Sequence, residues 1–552
     1  MAKRIVSESE ARKRVLEGAR ELYEAVKVTM GPKGRNVVIG KSYGGPSVTH
    51  DGVTVAKAVD IEQKKDDDTL GRGVGAELVK QAASKTNDTV GDGTTTATVL
   101  TYHILDEANR LIEAGHNPMD LRKGLDSAAA EVLGKISGIS EKIAGNKEKI
   151  AQVATVSAGD AEIGSLIADV IEAVGEEGSV TVEQSQTLGL EKEVVEGYKL
   201  DKGYVSAYMV TDTARMEAVY DSPAILITDK KISSIQDILP VLEKVAQGGK
   251  KELVIIAEDV DGEALATLVL NRLKGVFSAL AIKAPSFGDR RKAILEDLAV
   301  LTGATVISDD QGTSFENATL DMLGSARKII ATKDDATIIE GGGNSAEVDS
   351  RMTQIKAQAD NASSEFDKEK LDERLAAMAG KVAVIKVGGA TETEIEEKKY
   401  RVDDAVAATK AAVAEGIVPG GGVTLVDLSK QLDIDSTRVS NSADAGKLIL
   451  KNALVQPFKQ LMNNAGLNPD EKLPKVLESK SGGHGFDVNS PEKLIDLKAE
   501  GIVDPAKVTR EAVQNAASIA GTAMTMGALI VDIPEEKPVG GTPDMGGMGG
   551  MY

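Results

Sequence analysis

The segment Gly91–Leu100, GDGTTTATVL, sets one carboxylate and three successive hydroxyls between a pair of glycines and an apolar run. A helix that begins just after Gly91-Asp92-Gly93 offers unpaired backbone N–H groups, with the hydroxyls of Thr94, Thr95 and Thr96 beside them. That combination binds anions, phosphate above all. Asp92 does not suit the anion itself, because like charges repel. Its carboxylate suits Mg²⁺, which takes one or two carboxylates and completes its shell with phosphate oxygens. The same residues also describe an ordinary capped helix start, with the threonines turned to solvent or core.

Two other glycine-rich stretches could complete a phosphate site. TMGPKGRN (Thr29–Asn36) ends a long helix in a turn where Pro32 fixes φ, and VPGGGVTL (Val418–Leu425) opens an apolar segment with three glycines. Either could also be a plain turn. GRNVVIGKS (Gly34–Ser42) comes close to the P-loop pattern, but five residues separate its glycines where the pattern needs four. No G-x-G-x-x-G follows a convincing strand, so a dinucleotide fold is poorly supported as well.

The elements that must hold these loops follow from composition and periodicity. At 552 residues the chain exceeds what one core can serve, and a length of about 150 residues per domain predicts three or four domains. Aromatic residues are only 3% and Trp is absent, so the cores are aliphatic. A net charge of −21 disfavours nucleic acid and anionic membrane surfaces as partners. The absence of Cys excludes disulfides and thiolate metal sites, and the four histidines are too scattered for a zinc motif. No apolar run approaches a membrane span, and no apolar stretch follows the basic amino terminus, so the expected location is the cytoplasm.

Residues 1 to about 135 read as helices broken by glycine turns, as in Ala11–Met30 with its stop at Gly31-Pro32. Between about 190 and 330, short β-branched runs such as AILIT and ELVIIA alternate with helical stretches, the sign of an α/β domain. EFDKEKLDERLAAMAG reads as an exposed helix. From about 402 the chain is again Ala-rich and helical, and GGTPDMGGMGGMY is low-complexity sequence with too little side chain to pack.

At this point the residues carry a resemblance. TMGPKGRNVV, DGVTVA, NDTVGDGTTTATVL, GEALATLVLN, KAPSFGDRRKA, DDAVAATKAAVAEGIVPGGGV, DPAKVTR and the GGM tail, in order along almost the whole chain, resemble a group I chaperonin of the GroEL type. The resemblance implies a multidomain α+β and α/β fold. A mainly helical equatorial domain would comprise 1–139 and 415–532, a small intermediate domain 140–195 and 382–414, and an α/β apical domain 196–381, with a flexible tail at 533–552. It also implies an ATP-dependent chaperone that encloses non-native polypeptides in two stacked seven-membered rings. The expected cofactors are ATP, Mg²⁺ and K⁺, and the expected lid is a co-chaperonin of the GroES type.

Carried over by position, the nucleotide pocket would be built from Thr29, Met30, Gly31 and Pro32, from His50, Asp51 and Gly52, and from Asp92, Gly93, Thr94, Thr95 and Thr96. Val156, Ser157, Gly420 and Gly421 would join it, with Asp487, Val488, Asn489 and Asp504 on the adenine and ribose side. Asp92 would hold Mg²⁺. Asp404 would be the catalytic group and Asp51 would help position the attacking water. A carboxylate of ordinary pKa is a weak base at neutral pH, so orienting water is the expected role. On its own RVDDAVAATK would read as a solvated helix.

The apical surface for non-native chains would use Tyr204, Tyr208, Met209, Leu239, Leu242, Leu265, Val269 and Leu270. Periodicity alone does not separate such residues from core, and Pro240 must fall in a first turn or kink its helix. Gly197, Gly380 and Gly416 lie at the implied domain junctions. Several positions depart from the family's pattern. His50 stands where lysine is usual, Lys381 follows Gly380 where a second glycine is common, and Asp487-Val488-Asn489 replaces Asn-Ala-Ala. Ile61–Leu78 looks about six residues longer than usual. A metabolic ATPase or phosphotransferase, and a chaperonin paralogue without refolding activity, are the alternative readings.

Overall fold

The structure, a computed structural model, describes residues 3–40, 46–62, 69–175, 178–185, 187–213, 215–362, 364–434, 439 and 441–533. The Gly/Met tail beyond 533, the Lys41-Ser42 end of the near P-loop match and residues 63–68 of the long segment lie outside them. The chain forms two compact units, one discontinuous (1–168 and 389–552) and one continuous (169–388).

The discontinuous unit is helical, and its two stretches of sequence share one core. Leu22, Leu100, Ile104, Leu121 and Leu125 from the first stretch pack with Ile449, Leu450, Val513 and Ala516 from the second. The richness in Ala and Gly has a steric purpose. Where helix Pro118–Ile139 meets helix Ser442–Leu454, a Cβ on Gly124 would stand 1.9 Å from the Ala443 carbonyl oxygen, and one on Gly446 would stand 2.0 Å from that of Leu121. The backbones touch directly, which no larger residue permits. The crossing of helices Glu8–Val26 and Arg72–Val90 is as close, at Gly18 and Gly75.

Short strand pairs tie distant parts of this unit together. Lys3–Ser7 runs antiparallel to Ala528–Asp532, and Ile417–Pro419 runs antiparallel to Val503–Pro505. Leu70, from the long segment after Ile61, is fully buried among Val6, Val15, Leu529 and Val531. That part of the segment is therefore an anchor for the paired terminal strands.

The continuous unit is α/β. Its sheet runs in the order Ser278–Lys283, Glu252–Ala257, Ala224–Ile227, Gly324–Ala331, Ala336–Gly341, Gly189–Leu200, Lys381–Gly388, Ser179–Gln184, and Ala218–Asp221 pairs with Gly324–Ala331. The first three strands are parallel and fully buried in the middle, hence the continuous apolar runs VIIA and AILI. Helices Ile235–Gln247 and Gly262–Leu273 pack on each other, and Ile238, Val241, Val245, Ala264 and Leu268 enter the core. Pro240 falls in the second turn of its helix. On another side Asp297, completely buried, accepts from Arg351 and Arg374 at 2.8 Å each. This clamps helices Ser345–Asp360 and Glu365–Met378 to helix Gly288–Thr302.

Candidate functional site

Helix Thr94–Glu113 starts as its sequence predicts. Gly93 is left-handed, at φ 77°, so the chain turns sharply from the Asp92 loop into the first helical turn. Thr94 is buried, and the Thr95 hydroxyl lies 3.1 Å from the hydroxyl of Thr29, at the end of the first long helix. Asp51-Gly52 closes the third side. A Cβ on Gly52 would stand 2.3 Å from the Thr95 hydroxyl and 2.9 Å from that of Thr94. Three hydroxyls and a bare backbone thus converge from three separate segments.

Asp51 has a structural task as well. Its carboxylate caps helix Gly52–Ala58, accepting from the backbone N–H groups of Val53 (3.1 Å) and Thr54 (2.8 Å) and from the Thr54 hydroxyl (2.6 Å). These bonds fix its orientation. His50 beside it is half-buried, and burial pushes its imidazole below the ordinary pKa, an effect Glu397 opposes and Arg401 reinforces. Burial thus favours the neutral ring at this position.

Asp92 accepts from the Gly93 N–H at 2.5 Å and from the Ser157 hydroxyl at 3.3 Å. Burial raises its pKa, these two donors lower it, and the charge of Asp51 raises it further. Asp504, on strand Val503–Pro505, is pushed up to about 7, by burial first and by the charge of Asp92 second. Gly420 lies against it, where a Cβ would stand 3.1 Å from the Asp504 carboxylate. Both carboxylates are half-buried, the donors to Asp92 named here are neutral, and the charge of Asp92 reaches Asp504.

This donor set fits a magnesium–phosphate ligand. Among the described residues no group of three or more His, Cys, Asp or Glu stands ready to hold an ion by itself. The site offers the one or two carboxylates that Mg²⁺ takes when phosphate oxygens supply the rest. Asp92 would hold the ion, which would neutralise charge on the phosphates.

Met30 and Gly31 follow Thr29, and Pro32 turns the chain beyond them. Met30 is buried, and its carbonyl accepts from the Asn464 amide at 2.9 Å. The same amide donates to the Lys27 carbonyl, also at 2.9 Å, so Asn464 pins the end of that helix. Sequence reasoning missed Asn464, which lies at a helix end in a motif with no chemical signature. Thr96 is half-buried one position after Thr95. Val156 is 42% exposed on helix Lys147–Ala158, beside Ser157.

Gly421 and Gly422 are both left-handed and open helix Val423–Gln431. Asp487-Val488-Asn489 forms the turn of the hairpin between His484–Asp487 and Ser490–Asp496. Asp487 accepts from the Asn489 N–H at 2.9 Å, and Val488 packs with the cluster around Val423 and Phe458. That places the hairpin next to the Gly420–Gly422 loop. Asp404 lies on helix Glu392–Glu415. Ala407, nearly one turn further, meets Gly91, where a Cβ would stand 2.4 Å from the Ala407 Cβ. The face that carries Asp404 is thus applied to the Asp92 loop.

In the continuous unit the apolar residues separate into two groups. Tyr208 (70% exposed), Leu270 (49%) and Leu239 (37%) face solvent, and Leu242, Leu265 and Val269 are partly buried against the core. Met209 is fully buried, with its sulfur accepting from the Ala281 N–H, and Tyr204 is buried as well. These two support the surface from beneath. Gly197 and Gly380 meet, with the Gly197 N–H donating to the Gly380 carbonyl at 3.2 Å. Gly416, at φ 89°, abuts the Glu141 carbonyl.

The family model described as TCP-1/cpn60 chaperonin matches residues 22–534, through both units and every segment of the site. The chain belongs to the TCP-1/cpn60 chaperonin family, whose members are chaperones that bind polypeptide substrates and assemble into rings.

Proposed function

We propose that this chaperonin is an ATPase of the group I, GroEL-like type. It would bind non-native polypeptides on apolar helices of its apical domain and enclose them in a ring cavity, with ATP binding and hydrolysis driving closure. The observation that carries the nucleotide reading is the convergence of the Thr94 and Thr95 hydroxyls on the bare backbone of Gly52, with the Thr29 hydroxyl in contact with that of Thr95 and the carboxylates Asp92 and Asp504 both raised in pKa. Phosphate would sit at the Thr94 helix start. Asp92 would anchor Mg²⁺, with K⁺ as a second cation. Asp404 would orient the attacking water, with Asp51 beside it. In phosphoryl transfer positioning and charge neutralisation supply most of the rate, and both are what these residues offer.

The surface reading rests on Tyr208, Leu239 and Leu270, apolar side chains that a small-molecule ATPase has no reason to expose. Apolar contact is non-directional, so such a surface takes many partners. The equatorial, intermediate and apical division at the boundaries given above, the two stacked rings of seven, the co-chaperonin lid and a cytoplasmic location belong to the same proposal. Among the described residues no helix is long and apolar enough to cross a membrane.

The test is native mass with and without ATP, followed by Mg²⁺-dependent ATP hydrolysis and refolding of an aggregation-prone protein. A ring that hydrolyses ATP and restores native activity supports the proposal. A protein that binds no ATP, or that hydrolyses it without suppressing aggregation, overturns it.

A further inference from the structure

We propose that Arg272 is the positioning residue of the polypeptide-binding surface: it holds Tyr208 in place against the C-terminal end of helix Gly262–Leu273. The inference rests on the surface reading above and names the group that gives that surface its shape.

Tyr208 sits on a single three-residue turn, Ala207–Met209. So short an element does not hold its own geometry, because one turn fixes several dihedral angles for very little hydrogen bonding. From beneath, the turn is tied by the buried Met209, by the Val205 N–H donating to Ala281 at 2.9 Å, and by Ser206 accepting from the Tyr208 N–H at 3.3 Å. None of these reaches the carbonyls of residues 208 and 210. Arg272 does: one guanidinium nitrogen donates to the Tyr208 carbonyl at 2.7 Å and the other to the Val210 carbonyl. The planar fork thus grips two carbonyls across the turn, a geometry that a lysine ammonium matches only as a point charge.

A basic residue in the last turn of a helix ordinarily serves its own helix dipole. Arg272 is half-buried and reaches away from its helix to a different segment. The gripped turn lies at the end of the helix that exposes Leu270 and Leu273, the latter 65% exposed. Binding an unfolded chain already pays to order that chain. A surface whose own aromatic anchor is fixed beforehand avoids a second ordering cost.

The test uses the assembled, nucleotide-free protein and a reduced, carboxymethylated polypeptide that stays unfolded. Its dissociation constant is measured by fluorescence anisotropy, together with hydrogen exchange over residues 206–211 and the rate of ATP hydrolysis. Arg272→Gln is expected to raise the dissociation constant about tenfold, the equivalent of one charge-assisted hydrogen bond. It should also speed exchange over 206–211 and leave ATP hydrolysis unchanged. Arg272→Lys should fall between Gln and the parent in both readouts. Leu270→Ser should weaken binding without changing exchange.

Parent-like affinity and exchange in Arg272→Gln overturn the proposal. Should that variant fail to assemble, parent-like exchange in Arg272→Lys overturns it. Unchanged affinity in both Leu270→Ser and Leu239→Ser sinks the surface reading instead, and the exchange data then still decide whether Arg272 holds the turn.

Discussion

Gly52→Ala isolates the hydroxyl cradle from everything else in the protein. The new Cβ would sit 2.3 Å from the Thr95 hydroxyl, 2.9 Å from that of Thr94 and 3.3 Å from the Thr95 nitrogen. The first distance is about 1 Å short of ordinary contact. Thr95 must rotate or the Asp51 loop must retreat, and rotation breaks the 3.1 Å contact with Thr29. Overpacking of this kind costs about 1–3 kcal/mol, which corresponds to a loss of about 5- to 150-fold in ATP affinity. Replacing glycine also restricts the unfolded chain and returns about 0.4–1 kcal/mol, so the net loss of folding stability should be smaller than the strain itself.

The assay is calorimetric ATP titration paired with thermal melting, run as a cycle with Thr95→Ala. Removing the Thr95 hydroxyl relieves the closest clash, so Gly52→Ala should cost much less in the Thr95→Ala background than in the parent. Parent-like ATP affinity in Gly52→Ala, or strict additivity in the cycle, would refute the convergence of these segments on one phosphate.

Other consequences can be checked separately. Asp404→Ala should retain ATP binding and slow hydrolysis by about 10²-fold or more, the usual scale for losing a positioned proton-transfer or water-orienting group; equal loss of binding and turnover contradicts its role. Asp504, at a pKa of about 7, keeps its proton in the native state over a pH range in which an unfolded chain, with a carboxylate near 3.9, has released it. Stability without nucleotide should therefore fall as pH rises from about 4 to 7, by no more than about 4 kcal/mol, and Asp504→Asn should remove that slope in a melting series; matching pH profiles reject the assignment. Asp297→Asn leaves Arg351 and Arg374 without their shared buried charge and should cost the continuous unit about 3–5 kcal/mol by calorimetry. Gly416→Ala forces a side chain onto a left-handed backbone with its Cβ 2.5 Å from the Glu141 carbonyl, so it should destabilise by about 1–3 kcal/mol or shift the 141–417 bridge, visible as faster exchange there.

The glycine-flanked segments that converge at Thr94 and Thr95 were legible because their chemistry is local. Gly-Asp-Gly-Thr-Thr announces a helix start, and Thr94–Glu113 begins where the sequence places it. What sequence did not disclose is how those segments are held. Asn464 supports Met30 from 434 positions away, and the bond is an amide to a backbone carbonyl that no side-chain pattern encodes. Periodicity also failed to sort the apolar helix residues of the continuous unit. Ile238 and Leu239 are neighbours of similar hydropathy, yet one is fully buried and the other 37% exposed, because the sheet beneath decides which face of the helix is covered. Met209 and Tyr208 show the same limit within a single turn. The Asp297 clamp escaped notice for another reason: EFDKEKLDERLAAMAG reads as a solvated helix, and only tertiary structure reveals that Arg374 points inward to a buried carboxylate.

The electrostatics of the site connect binding to motion on the proposed reading. Without a cation, the charge of Asp51 raises the pKa of Asp92 and the charge of Asp92 raises that of Asp504, each on top of partial desolvation. A magnesium–nucleotide ligand relieves that cost at the loop Gly91–Gly93, which is also where Ala407 of helix Glu392–Glu415 docks. The same helix presents Arg401 and Glu397 to the field of His50, so one rigid element senses both sides of the phosphate cradle. A ligand shifts a conformational equilibrium only by its difference in affinity for the two states. Here that difference arises if Asp404 reaches the phosphate end only when Ala407 is seated on Gly91. Lengthening the side chain at the seat tests the link: Ala407→Leu should unseat the helix and slow hydrolysis as much as Asp404→Ala does, while ATP affinity falls only modestly. Full hydrolysis in Ala407→Leu would separate the docking of this helix from the chemistry.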